Sequence, residues 1–358
     1  MKIPFFFNQR EQTDFLSKNA QGLLEVIKSG KILQGSFSEL LEARLAKHHA
    51  VKHCSVVGSG SDALFFAIES LKLAPGSKIA IPAFTFVATG MQVLRSKNIP
   101  VLVDVQKNGL ISLEEVQSHK DVKAVVLVDL FGDQGFDPEI FDYCNRYKIK
   151  ILIDGAQGFL RFPEYIRRQA EAITLSFDPT KILNSISSGG AVLTNSTSTK
   201  LLVTQMRYHG KVNGDYSGVG YNSQLSEISS FILVKKLETE IEHGRSRRLS
   251  NSQKIMECFC ADVVGENFKN HSLHKLVFST SERQKLVSYL KSKNIETRIH
   301  YEKHLGEYDA FRSFSDNPLP MSKHLTNTLI TLPNSPSMSD PELHYICEVL
   351  STWKEKNK

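Results

Sequence analysis

The chain has 358 residues, 41% apolar and 23% charged, which suits a folded globular protein and leaves room for two domains. Its net charge of +6 comes from scattered lysines and arginines, with short clusters at 167–168 and 245–248 and no aromatic-interleaved basic tract, so nucleic acid is a weak expectation and a small anionic substrate fits as well. No apolar run approaches the roughly 20 residues of a membrane span, and the opening MKIPFFFNQREQ lacks the h-region and cleavage site of a signal peptide, so a cytoplasmic enzyme is expected.

In chain order, a helix is expected near 21–29 and another over 36–46, where SFSELLEARLA sets Glu39 three residues after Ser36 as a capping box does. Residues 54–57 read as a short strand, GSGS at 58–61 as a tight turn, and 62–73 as a helix stopped by Pro75 and Gly76. Such a turn before a helix can hold an anion, because the first amides of a helix lack internal partners; in many α/β proteins it serves packing alone. From residue 78 the alternation is regular: strand 78–81, helix 84–97, strand 100–105, helix 113–119, strand 122–130, helix 138–147, then strands 149–153, 172–177 and 190–194. This pattern implies an α/β fold with a largely parallel sheet covered on both faces. A long helix is expected over 225–257, apolar first and charged later. The boundary near 240–250 divides a large domain, 1–245 with the N-terminal arm included, from a small α+β domain, 246–358. In the latter, strands at 275–279 and 296–300 flank a helix at 282–293, and a last helix covers 340–353. The five cysteines, Cys54, Cys144, Cys258, Cys260 and Cys347, match no zinc spacing, so reduced thiols and no metal site are expected.

The stretch 149–181 carries the chemistry. One apolar strand pattern ends in Asp154, and another ends in SFDPTK, which closes on Lys181. Strand ends of an open α/β sheet share one crevice. An acid and an amine facing each other there, across a flat phosphorylated ring, is what pyridoxal phosphate chemistry requires. Asp104 and Asp129 also end strand patterns and compete with Asp154.

GSGSDAL at 58–64, PAFTFVAT at 82–89, DGAQ at 154–157, SFDPTK at 176–181, GGAVLTN at 189–195 and GYNSQLSE at 220–227 follow one another in an order that resembles the DegT/DnrJ/EryC1/StrS family of pyridoxal-phosphate sugar aminotransferases. The resemblance runs from about residue 32 to about residue 350. It implies the aspartate aminotransferase-like fold of type I: a large domain with a mostly parallel sheet and a small C-terminal α+β domain. It further implies a homodimer with shared active sites, and amino transfer, with glutamate as donor, to a nucleotide-linked keto sugar in amino sugar and polysaccharide biosynthesis. By this resemblance Lys181 is the lysine that bonds the cofactor aldehyde and then moves a proton, and Asp154 pairs with the pyridine nitrogen. Gln157 lies beside the ring oxygen, and Phe86 stacks on the ring. Ser176, with Ser61 and Asp62 opening a helix after Gly60, holds the phosphate, and Asn222 reaches the phosphate of the other subunit. His209 and His300 fall near the site mouth. Arg207 and Lys211 are either substrate-attracting or solvated charges. Gln224 stands where the family usually has Arg, RRQAEAIT precedes Ser176 where glycines are usual, and serines stand after Lys181 where an acid is common. These departures suggest a divergent member with its own substrate. The alternatives are a sugar dehydratase on the same scaffold, which usually has His in place of Lys181, and a pyridoxal-phosphate-binding regulatory protein.

Overall fold

The computed structural model describes every residue except 120, 260, 261, 266, 267, 316, 357 and 358. Cys260 of the C-x-C pair thus lies outside the described residues.

A seven-stranded sheet is formed by β1 (His53–Val57), β2 (Lys78–Pro82), β3 (Ile99–Val103), β4 (Ala124–Val128), β5 (Lys150–Asp154), β6 (Ala172–Ser176) and β7 (Gly190–Thr194). Their order is β1-β7-β6-β5-β4-β2-β3. β7 alone runs against the others, antiparallel to both β1 and β6. β4 is buried at all five positions, as a central strand covered on both faces must be. Strand periodicity divides its side chains: Val125 and Leu127 join one core with Ile151 and Ile153, while Ala124, Val126 and Val128 join a second with Leu152.

The helices around this sheet are α1 (Asn8–Lys28), α2 (Ser36–His49), α3 (Gly60–Ser70), α4 (Val87–Arg95), α5 (Leu113–Gln117), α6 (Pro138–Arg146), α7 (Glu164–Gln169), α8 (Thr197–Met206) and α9 (Glu227–Thr239). A two-stranded hairpin, β8 (Lys211–Val212) with β9 (Asp215–Tyr216), follows α8. A second, antiparallel sheet holds β10 (Asp262–Val263), β11 (Leu276–Ser279) and β12 (Leu329–Leu332). It packs with α10 (Ile241–Cys258), α11 (Arg283–Ser292) and α13 (Asp340–Lys356) around Ile255, Phe278, Leu290 and Ile346; α12 (Pro320–Thr328) leads into β12. No helix among the described residues is long and apolar enough to cross a membrane.

Several expectations are corrected. The capping box at Ser36 does not form. Gly35 is the N-cap, and the buried Glu227 carboxylate, distant in sequence, accepts from the amides of Phe37 (2.8 Å) and Ser38 (3.0 Å). A Cβ on Gly35 would lie 2.6 Å from that carboxylate. α4 begins at Val87 instead of residue 84, because Ala83 still donates to Val103 of the sheet and Phe86 is extended. The stretch 225–257 is two helices, α9 and α10, parted at Glu240 (φ −109°, ψ −22°). Residues 296–300 are no strand: only Arg298 bridges to Thr331, and the fully buried LITL of β12 pairs with β11 instead. The first residues of the N-terminal arm reach the C-terminal core, while Phe6 lines a cavity at the ends of the large sheet's strands. Ile3 and Phe7 belong to the C-terminal core, and Ile3 bridges to Ile295.

Candidate active site

A cavity of about 310 Å³ opens where β4, β5 and β6 end, at Val128, Asp154 and Ser176. It is of the size that takes a small ligand. A wider groove of about 780 Å³ between α2 and α10 is lined by Arg44 and Glu238, which already pair with each other, and it lacks a lysine facing a buried acid.

β5 delivers Asp154 to the cavity wall. Its Oδ2 accepts from the Thr89 hydroxyl (2.9 Å) and its Oδ1 from the Ala156 amide (3.2 Å). Burial raises its pKa, against the pull of those donors and of Lys181. The competing acids lie elsewhere. Asp104 caps α12, accepting from the amides of Met321 (2.8 Å) and Ser322 (2.7 Å). Asp129 is fully buried next to Asp154; its Oδ1 takes the Gln157 amide and its Oδ2 has no hydrogen-bond partner among the described residues. Burial and the Asp154 charge push that carboxyl well up.

Lys181 reaches the cavity from the turn after β6. Asp178 closes this turn, its Oδ1 accepting from the Thr180 amide (2.9 Å) and hydroxyl (2.6 Å), while Lys181 donates its amide to the Asp178 carbonyl (2.9 Å). Asn184 donates to the Lys181 carbonyl (3.0 Å) and accepts in turn from the buried Lys236 ammonium. Burial lowers the Lys181 pKa, opposed by Asp154, Asp178 and Asp129. Its amine is therefore neutral more often than a solvated lysine's.

The opposite wall is the start of α3. Ser59 caps this helix, its hydroxyl accepting from Asp62 (3.0 Å) and its carbonyl from Ala63 (3.0 Å). The first amides, of Gly60 and Ser61, have no place in the helical ladder and line the cavity. Gly60 is required by packing: a Cβ there would lie 2.7 Å from the Ser176 Cβ. Phe86, 54% exposed, borders the cavity, and Gln157 donates to the Tyr301 hydroxyl (3.0 Å) while accepting from the Phe131 amide (3.2 Å).

The cavity thus brings together Gly60, Ser61, Phe86, Asp154, Gln157, Ser176 and Lys181. It does not include Asp62 or Asn222. The Asp62 amide is taken by Ser59, and its carboxylate pairs with Arg95 (2.7 Å) and accepts from Ser223 (2.8 Å). Asn222 is exposed and bridges to Tyr208. Arg207 is held by Glu42 (2.5 Å), while His300 does line the cavity. Sequence reasoning missed Thr89, Tyr301 and Lys275. Thr89 closes the PAFTFVAT motif three residues after Phe86, so helical spacing could have found it. Tyr301 and Lys275 carry no local signal, because distant chain segments bring them to the site.

A sequence model described as the DegT/DnrJ/EryC1/StrS aminotransferase family matches residues 15–351. A Geobacillus stearothermophilus protein named pleiotropic regulatory protein is 27% identical over 99% of both chains. The dTDP-3-amino-3,6-dideoxy-alpha-D-galactopyranose transaminase of Aneurinibacillus thermoaerophilus is 26% identical over 98% of this chain and 99% of its own. Among solved structures, NtdA from Bacillus subtilis, with the bound cofactor PMP, superimposes with a TM-score of 0.90 at 22% identity, covering 98% of this chain and 84% of that one.

Proposed function

We propose that this chain, which belongs to the DegT/DnrJ/EryC1/StrS aminotransferase family, holds pyridoxal phosphate at Lys181 and moves an amino group from glutamate to a nucleotide-linked keto sugar. The observation that carries the reading is Lys181 and Asp154 lining one cavity that the start of α3 also lines. The residues fit the cofactor at each of its handles. A phosphate suits the amides of Gly60 and Ser61 and the Ser176 hydroxyl, where a helix start carries partial positive charge. A protonated ring nitrogen suits Asp154, which burial otherwise leaves short of a cation. An aldehyde suits the amine of Lys181, whose pKa burial lowers.

When bound, the cofactor supplies an electron sink that no side chain provides. Asp154 keeps its ring nitrogen protonated, with Thr89 orienting the carboxylate. Phe86 would cover the ring, and the Gln157 amide is braced by Tyr301. The Lys181 amine would hold the cofactor's aldehyde and, once free, would serve as the base that takes the proton from the donor carbon. A net charge of +6 favours a substrate carrying phosphates, and the Aneurinibacillus relative named for a dTDP sugar supports that class.

The test is direct. Protein loaded with pyridoxal phosphate should be yellow. Glutamate should bleach the band and release 2-oxoglutarate, and one of a panel of nucleotide-linked keto sugars should restore it with formation of an amine. A band that no amino donor converts would favour a cofactor-binding regulatory protein, the reading that the name of the Geobacillus relative supports.

The working unit in this reading is a homodimer. Asn222, exposed and outside its own cavity, can touch a phosphate only in the cavity of a second copy. Sedimentation should give twice the 40.2 kDa of one chain. Asn222→Ala should weaken cofactor retention by about 10-fold, the worth of one charge-assisted hydrogen bond. A monomer with full activity would rule the shared site out.

A further inference from the structure

The cavity contains one more cation than the reaction has used so far, Lys275. It immediately precedes β11, whose Leu276, Val277 and Phe278 are fully buried, so its backbone is held by the core. The residue before it is docked on the Lys181 turn: His274, kept neutral by burial, donates Nε2–H to the Thr180 carbonyl (2.9 Å). Lys275 therefore faces the same space as Lys181. Its ammonium makes no hydrogen bond or ion pair among the described residues. The charges that act on it are Lys181, which repels, and Asp178, which attracts. Burial and the Lys181 charge together push its pKa down to about 7. A cation with so little compensation is held against its preference for water, and an anion entering the cavity would relieve that cost.

We propose that Lys275 anchors the α-carboxylate of the amino donor. The inference rests on the reading of Lys181 as the amine that holds the cofactor. In an amino acid the carboxylate is bonded to the carbon that bears the amino group. Its anchor must therefore stand close to the nitrogen that the donor displaces, and Lys275 stands beside Lys181. The adjoining cleft that Lys275 also lines includes Thr180 and Lys181 but no residue of α3, so this wall is clear of the phosphate end. Besides Lys181 and Asp178, two further residues beside it on the cavity wall, His300 and Tyr301, are uncharged. His300 bonds Thr331 through Nδ1 (2.9 Å) with its pKa driven far down by burial, and Tyr301 accepts from Gln157. Among the described cavity residues the basic side chains are Lys181, Lys275 and His300. With the Lys181 nitrogen bonded to the cofactor and His300 neutral, Lys275 is the cation that remains. The phosphates of a nucleotide-linked sugar lie a sugar ring away from the reacting carbon, too far for the same anchor.

Two measurements on cofactor-loaded protein test this. The first is calorimetric binding of succinate, a dicarboxylate with no amino group to transfer. Lys275→Met should weaken it roughly 10- to 100-fold, the loss of one charged hydrogen bond, and Lys275→Arg should restore most of it. The second is the two half-reactions. The glutamate concentration that half-bleaches the visible band should rise by the same factor, while the keto-sugar half-reaction keeps its concentration dependence. Unchanged succinate and glutamate dependence in Lys275→Met overturns the anchor and leaves the aminotransferase reading intact. A defect confined to the keto-sugar arm also overturns it, assigning Lys275 to the acceptor. A wild-type protein that never turns yellow overturns the cofactor reading and the anchor with it.

Discussion

Lys181→Ala protein, mixed with pyridoxal phosphate, should show no visible band of a lysine-bound cofactor, and its glutamate half-reaction should slow by about 10³-fold or more. Loss of a positioned proton-transfer group alone accounts for about 10²- to 10⁴-fold, and the covalent tether goes with it. The structure gives a reason to expect a clean result. The turn that carries Lys181 is braced by Asp178, Asn184 and His274 through groups other than the lysine side chain. Truncation should therefore leave the turn and the fold in place, and removing a half-buried ammonium should if anything raise stability. A pH arm adds a second check. Burial lowers the Lys181 pKa, so cofactor attachment in the wild type should reach half its maximal rate below the ordinary lysine value of about 10.4. Retention of the visible band in Lys181→Ala would mean that another amine, such as that of Lys275, which also lines the cavity, holds the aldehyde.

Asp154→Asn should slow the same half-reaction by roughly 10²- to 10³-fold, the usual cost of removing one preorganised charge from a reacting centre. An amide occupies the same volume and still meets Thr89, but it does not hold a proton on the ring nitrogen. The two other strand-end acids separate structure from chemistry. Asp104→Asn should cost about 1–2 kcal/mol of stability by uncapping α12, with the rate per folded molecule unchanged, because its carboxylate is spent on Met321 and Ser322. Asp129→Asn should leave the rate within a few fold, because burial and the Asp154 charge already favour its protonated form. Half-reaction rates of the three variants, normalised to folded protein, decide the assignment. Full activity in Asp154→Asn would transfer the role to another acid.

Much of the candidate site was written in short motifs because local chemistry requires it. A phosphate cradle needs a cap and small residues in a row, and Ser59, Gly60 and Ser61 supply them at the start of α3. A lysine placed by a tight turn needs an acid two residues before the turn's donor, which Asp178 provides for Thr180. Asp62 was assigned to the same cradle, yet its amide belongs to Ser59, a detail of cap geometry that residue type does not specify. The helix break at Glu240 escaped notice for a related reason. No Gly or Pro stands at the break itself, where α9, in contact with α1 and α10, gives way to the next helix.

The order of short, continuously apolar runs along the chain, alternating with helical segments, was enough to imply a covered, mostly parallel sheet and the two strand ends that carry a lysine and an acid. That information is local, since burial on both faces imposes it residue by residue. The rest depended on chain segments far apart in sequence. Glu227 caps α2, Thr331 orients His300, and the start of β11 carries Lys275 to Lys181. A side chain that serves a partner a hundred residues away is chosen for a distance and an angle in space, and neither leaves a periodic mark on the chain.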